Sequence, residues 1–199
     1  MDIVVATNNN NKYREIVSIL NFKQSRVLSL KDIDFNDKII EDGQTYYDNA
    51  RKKAQAIREK IQDKIILADD SGLEISALNN APGVISARYL NGLSQKEKNA
   101  EIIKKLEKID KLKRNAKFLC VVCLIMPDGE SHFFNGVCEG HIAEEIQGER
   151  GFGYDPIFIP SGFLKTFGVL SEDIKNTISH RAIAFTRAKN FIVRSGLLE

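Results

Sequence analysis

Along the chain, short runs of aliphatic and β-branched residues alternate with segments whose apolar positions recur every three or four residues. Ile3–Ala6 is the first such run, and it stops at the polar stretch Thr7-Asn8-Asn9-Asn10-Asn11-Lys12. Tyr13, Ile16, Val17 and Leu20 follow at helical spacing, so the chain opens as strand, polar loop and helix. Thr45-x-x-Asp48 has the form of a capping box. It predicts a second helix whose apolar side carries Ala50, Ala54, Ile57 and Ile61. Ile65–Ala68 predicts a buried strand ending at Asp69-Asp70-Ser71-Gly72, and Ala81-Pro82-Gly83 predicts a turn. Ser94 can cap a helix bearing Ile102, Ile103 and Leu106, with Glu107–Arg114 as its exposed end and loop. Phe118–Met126 and Ser131–Val137 flank Pro127-Asp128-Gly129 and predict a hairpin. A glycine-rich segment, Gly148–Gly153, leads through Tyr154-Asp155-Pro156 into the apolar run Ile157–Ile159. A last helix after Ser179 presents Ala184, Ala188, Phe191 and Ile192 to a core. With no internal repeat or linker, the pattern predicts a single domain over residues 1–199, an α/β fold around a mixed sheet.

Composition narrows the function classes. Apolar residues make up 43% and charged residues 28%, as in an ordinary folded protein. A net charge of +2 gives no concentrated basic surface, so neither a nucleic-acid polymer nor a membrane is an expected partner. No apolar run approaches the roughly 20 residues that span a bilayer. Met1–Ala6 lacks the basic start and long apolar stretch of a signal peptide, which makes the cytoplasm the expected compartment. Cys120 and Cys123 lie three apart in a predicted strand, where they point to opposite faces, so they read as buried structural thiols. His132 and His141 show no spacing to them that suits zinc.

Five segments carry candidate chemistry, and each also has a plain structural reading. Thr7–Lys12, between a strand and a helix, offers backbone N–H groups, a positive helix end and the charge of Lys12 to a phosphate, although it is no Walker A loop. Glu41-Asp42-Gly43-Gln44-Thr45 precedes Asn49 and Lys53, which share a helical face; alone, that face reads more simply as solvated. Asp69 and Asp70, at the end of an apolar strand, are costly unless they meet a cation or cap a turn, and hard carboxylate oxygens suit Mg²⁺. Phe152 between Gly151 and Gly153 could stack on a base or simply anchor a turn. His180 and Arg181 start a helix against its dipole, a placement that favours a binding role for them and for nearby Lys175.

The order of these segments is more specific than any one of them. Thr7-x-Asn9-x-x-Lys12, Glu41-Asp42-Gly43-Gln44-Thr45 through Asn49-Ala50, and Ala68-Asp69-Asp70-Ser71-Gly72-Leu73-Glu74 come first. Ala81-Pro82-Gly83-Val84-Ile85-Ser86-Ala87-Arg88-Tyr89, Gly151-Phe152-Gly153-Tyr154-Asp155-Pro156 and Ser179-His180-Arg181 follow. Together they closely resemble the inosine/xanthosine triphosphate pyrophosphatase family, the non-canonical purine NTP pyrophosphatases or Ham1-like proteins. The resemblance implies an elongated central mixed β-sheet flanked by helices, two lobes around a nucleotide-binding cleft, and a homodimer. It implies hydrolysis of ITP, dITP and XTP to the monophosphate and pyrophosphate with Mg²⁺. Thr7, Asn8, Asn9, Asn10, Asn11 and Lys12 match the triphosphate loop, and Lys53 a further phosphate contact. Glu41 and Asp70 match the metal ligands, and Asp70 also the proton acceptor. Ser71 matches a substrate contact, while Phe152, Gly153, Tyr154, Asp155, Lys175, His180 and Arg181 match positions around the nucleotide, mostly its base. Asn10, Asn11 and Tyr46 depart from common members of the family without removing a charge, a ligand or a stacking ring. Alternatives are a Maf-like nucleotide pyrophosphatase of different base preference, a phosphatase that removes only the terminal phosphate, or a non-catalytic nucleotide-binding module.

A base-selection logic accompanies the resemblance. Inosine and xanthosine carry an acceptor oxygen at C6, where adenosine carries an amino donor. Candidate donors, Arg181, His180 and nearby backbone N–H groups, would pair with the oxygen and be left unpaired by the amine. Guanine shares that oxygen, so its 2-amino group must be rejected by other means.

Overall fold

The computed structural model describes residues 1–197; Leu198 and Glu199, the end of the expected 1–199 domain, lie outside the described residues. Among the described residues the strands are β1 (Ile3–Val5), β2 (Val27–Leu28), β3 (Ile65–Ile75), β4 (Ala81–Pro82), β5 (Asn115–Ile125), β6 (Ser131–Ile142) and β7 (Phe158–Pro160). The helices are α1 (Asn10–Leu20), α2 (Tyr46–Arg58), α3 (Gln95–Lys105), α4 (Glu172–Ile178) and α5 (His180–Arg194). The strands form one sheet in the order β2-β1-β3-β5-β6-β7, with β4 paired to β3. It is mixed: β1 runs parallel to β2 and β3, whereas β3–β4 and β6–β7 are antiparallel. The α/β expectation is met. No described helix is long and apolar enough to cross a membrane.

The chain divides into two compact units, one of residues 1–70, 120–136 and 181–199, the other of residues 71–119 and 137–180. Each has its own core. In the first, Ile3 and Val5 join Ile65 and Leu67, Ile16 and Leu20 of α1, the even positions Cys120 to Met126, and Ala184, Phe185, Ala188 and Ile192 of α5. In the second, Leu73, Ile75, Ile102, Leu106, Phe118, Tyr154, Ile157, Phe158 and Phe167 pack together. Phe158 stacks on Phe167 there and Phe118 packs tilted against both, with ring centroids 4.7–6.5 Å apart.

Local chemistry explains most of the helix starts. Asn9 caps α1, its Oδ1 accepting from the N–H groups of Asn11 and Lys12. Ile16 and Leu20 are buried as the periodicity requires, but Val17 is exposed. Thr45 caps α2 by accepting from Asp48 N–H; Asp48 returns its carboxylate to the Thr45 hydroxyl and not to the backbone, so the capping box is only half formed. Ala50, Ala54 and Ile57 are buried on α2, whereas Ile61 lies beyond its last turn. Ser94 and Glu97 form the full box on α3.

Other expectations need correcting. β3 does not end at Ala68; it runs on through Asp69, Asp70, Ser71 and Gly72 to Ile75. Asp69 and Asp70 stay in the strand because their side chains find ionic partners, described below. Ala81-Pro82-Gly83 is not merely a turn, since Ala81 and Pro82 pair with Ile75 and Glu74. Arg114, expected in an exposed loop, is buried, its guanidinium donating to the Ile109 carbonyl. The cysteines behave as expected: all are free and buried, and Cys120 joins the first core while Cys123 does not.

Candidate functional site

In the first unit, β3 brings two carboxylates side by side, and alternation sends them different ways. Ile65 and Leu67 face the core built with α1 and α5, and Asp69 continues that row. Its Oδ2 accepts from Lys12 Nζ at 2.9 Å, lies 3.5 Å from an Arg181 nitrogen and receives the Cys120 thiol at 3.9 Å. Asp70 belongs to the other row. Its Oδ2 accepts from the Asn49 side-chain amide at 3.0 Å, and its Oδ1 lies 3.8 Å from Lys53 Nζ.

Lys53 also donates to Glu41 Oε2 at 2.8 Å, so one ammonium joins the loop carboxylate to the strand carboxylate. Asn49 orders that loop from α2: its Oδ1 accepts from Gly43 N–H at 2.8 Å. A Cβ on Gly43 would stand 2.6 Å from the same Oδ1, so the loop closes on Asn49 only with glycine there. Asn49 and Lys53 are 1% and 6% exposed, which overturns the solvated-face reading of this side of α2. Arg181, at the start of α5, donates to Glu15 Oε2 at 2.7 Å.

The electrostatics follow from this burial. Desolvation works against the charge on Asp69, but Lys12, Arg181 and Lys53 outweigh it and hold the carboxyl well below the usual range. For Asp70 burial dominates over Lys53, Lys12 and Asn49, and its pKa is raised. Burial opposes the charge on Lys53 as well, yet Asp69, Asp70 and Glu41 raise its pKa overall. Adjacent aspartates of one strand are therefore driven in opposite directions.

Thr7, Asn8, Asn9, Asn10, Asn11 and Lys12 run from the loop after β1 into the first turn of α1. Several of the amides expected to cradle a phosphate are engaged within this segment: Asn9 N–H donates to Thr7 Oγ1, and Asn11 and Lys12 donate to Asn9. What the helix start presents is its dipole and the Lys12 charge.

In the second unit, Gly151-Phe152-Gly153-Tyr154-Asp155 folds around Asp155. Asp155 Oδ2 accepts from Phe152 N–H at 2.7 Å and from Lys175 Nζ at 2.5 Å. Gly151 has φ +72°, and a Cβ there would come within 2.1 Å of the same oxygen. Lys175 Nζ sits 4.7 Å from the centre of the Phe152 ring. The Tyr154 hydroxyl donates to the Ser86 carbonyl at 2.8 Å, and Asn99 Nδ2 donates to the Gly153 carbonyl at 3.1 Å. His180 stacks flat on Phe118, centroids 4.6 Å apart. Ser71 continues β3 and is half-buried.

Of the residues read from sequence, Lys12, Glu41, Lys53, Asp70 and Arg181 belong to one ionic network in the first unit. Phe152, Asp155 and Lys175 form another cluster in the second. Asn49 and Asp69, read as parts of candidate segments without an assigned contact, and Glu15, which the sequence reading passed over, join the first network. For Asp69 the signal was present: a second charge within an apolar run needs a partner as much as the first does.

The donor set suits Mg²⁺. Oxygens of Glu41 and Asp70 already converge on one cationic group, and no group of three or more potential ligands occurs among the described residues. Mg²⁺ is typically held by one or two carboxylates, with water and substrate phosphate completing its shell.

Comparison with known proteins places the chain among relatives. Residues 3–191 match the model of the Ham1 family. A dITP/XTP pyrophosphatase of Desulforamulus reducens is 40% identical over 195 residues, covering 98% of this chain and 96% of the relative. That of Christiangramia forsetii is 43% identical over 193 residues, covering 96% and 99%. The solved Ham1 protein of Staphylococcus aureus superposes with a TM-score of 0.85 at 35% identity, covering 98% of this chain and all of that one. A HAM1 protein from Coxiella burnetii gives 0.85 at 36%, covering 98% and 99%. Agreement along nearly the full length in both sequence and fold means that this chain belongs to the Ham1 family.

Proposed function

We propose that this chain hydrolyses non-canonical purine nucleoside triphosphates, dITP, XTP and ITP, to the monophosphate and pyrophosphate. It is a hydrolase of nucleotide metabolism. The observation that carries the reading is the pairing of Lys53 with both Glu41 and Asp70 in a member of this family. One place, buried at Lys53 and Asp70 and open at Glu41, thereby collects the hard oxygens and the positive charge that a metal triphosphate requires.

Water forms a bond to the α-phosphorus, and the bond from that phosphorus to the oxygen bridging to the β-phosphate breaks. Asp70 takes the proton from the attacking water; a carboxylate that also holds a metal is a weak base, so the acidity of that water must come from the metal. Asn49 holds the orientation of Asp70. Glu41 and Asp70 would hold Mg²⁺, which when bound would neutralise charge on the polyphosphate and acidify water. Lys12 and Lys53 stabilise the negative charge that gathers on the leaving pyrophosphate, beside Thr7 to Asn11 at the start of α1. Ser71, Phe152, Gly153, Tyr154, Asp155, Lys175, His180 and Arg181 are assigned to nucleotide contacts, Phe152 as a stacking surface and Arg181 as a donor to the C6 oxygen. The cytoplasm is the expected setting, and a homodimer the expected assembly, testable by sedimentation velocity.

The deciding experiment is a product assay on dITP, XTP, ATP and GTP with and without Mg²⁺, resolving monophosphate, pyrophosphate and phosphate. Mg²⁺-dependent pyrophosphate release from dITP and XTP, with ATP and GTP nearly inert, is the expected result. Orthophosphate release alone, or equal use of ATP, rejects the assignment.

A further inference from the structure

The proposed chemistry uses Asp70 but gives no task to its neighbour. Asp69 is 2% exposed, and its Oδ1 makes no hydrogen bond among the described residues. All of its partners meet at Oδ2: Lys12 at 2.9 Å, Arg181 at 3.5 Å and the Cys120 thiol at 3.9 Å. Arg181 is gripped a second time by Glu15, one helical turn from Lys12 on α1. Lys12, Asp69, Arg181 and Glu15 thus form a chain of alternating charge tying α1, β3 and the start of α5 together.

We propose that Asp69 is a positioning residue for nucleotide hydrolysis, a single oxygen that holds Lys12 and Arg181 in one fixed arrangement. The inference rests on the reading of those two residues as nucleotide contacts. Lysine has a long, mobile side chain, and much of its freedom is already lost when its ammonium is bound to a buried carboxylate. Arg181 is held by carboxylates on two elements, so its guanidinium plane is set before any ligand arrives. Asp70 cannot do this, because its side chain leaves the strand on the other face and meets α2.

Charge and positioning predict opposite outcomes for Asp69→Asn. Removing a negative charge beside Lys12 should, by Coulomb's law alone, strengthen binding of a polyanion. Loss of positioning should weaken it. The experiment is a double-mutant cycle of Asp69→Asn and Lys12→Ala, read both as kcat/KM for dITP and as calorimetric affinity for inorganic triphosphate. Expected is a fall of about 10-fold or more in kcat/KM for Asp69→Asn. Triphosphate binding weakens in parallel, Mn²⁺ binding is unchanged, and the double variant is little worse than Lys12→Ala alone. Tighter triphosphate binding, full additivity or wild-type kcat/KM overturns the proposal. Should the wild-type protein not hydrolyse dITP, the functional reading fails, while the triphosphate cycle still decides the coupling. If Asp69→Asn does not fold, a cycle of Lys12→Ala with Arg181→Lys on native Asp69 takes its place, and additive losses overturn the link.

Discussion

Asn49 donates its side-chain amide to Asp70 Oδ2 at 3.0 Å while its own oxygen accepts from Gly43 N–H at 2.8 Å. One buried amide thereby fixes Asp70, the proposed proton acceptor, and the loop that carries Glu41. Asn49→Ala removes both bonds and leaves a buried carboxylate oxygen short of a donor. A loss of about 1–3 kcal/mol of stability is expected, together with a fall in kcat of about 10-fold or more as Asp70 loses its orientation. Urea denaturation and steady-state kinetics check the two effects separately. A variant with unchanged kcat would remove Asn49 from the site.

Asp70→Asn keeps the shape of the side chain and its neighbours but abolishes the base. Turnover of dITP should disappear while nucleotide still binds, as read by equilibrium dialysis with labelled dITP. A kcat close to wild type would show that the proton goes elsewhere.

Gly43→Ala places a methyl group 2.6 Å from Asn49 Oδ1, so the loop must move away from α2. Glu41 moves with it. Mn²⁺ affinity, followed by electron paramagnetic resonance, should fall, and Asn49→Ala should fall in the same assay. Unaltered Mn²⁺ binding in both would separate Glu41 from the metal.

The buried thiols supply a pH test. Burial pushes Cys123 up to about 11 and Cys138 up to about 12, and raises Cys120 as well. Thiolate, the reactive form, is therefore scarce in the native state near pH 8. Native protein should react negligibly with a disulfide reagent at that pH, and all the cysteines should react at once in guanidinium. A fast native phase would show that a thiol is open to solvent.

Tyr154 gives a second. Burial, then the nearby Tyr89, raises its pKa to about 12, against about 10 in the unfolded chain. Folding favours the neutral phenol, so its stabilising contribution is complete below pH 10 and is lost as pH rises through about 12. Tyr154→Phe should flatten that alkaline loss in denaturation curves collected across this range; an unchanged slope would assign the loss to other groups.

Much of this was legible in the sequence wherever the cause was local. Thr45 and Ser94 announce their helices because a cap acts within three residues of itself. The burial of Asn49 and Lys53 was not legible, since the carboxylate that receives both lies on β3, beyond the end of their own helix. The same reason hid the continuation of β3 past Ala68: local propensity stops a strand at paired aspartates, and only distant partners from α1, α2 and α5 keep it going. α4 went unread because its turns carry few apolar residues, Ile174 and Ile178, too few to make a period visible.

The paired aspartates of β3 are identical letters with distinct addresses, and the address is set by parity. Deleting one residue from Ile65–Ala68 while the pairing with β1 holds would deliver Asp70 to Lys12 and Arg181, and Ser71 to Asn49 and Lys53. Composition would hardly change, yet a hydroxyl would stand where the proposed proton acceptor now does. Length upstream of the motif is as much a part of this site as the motif itself.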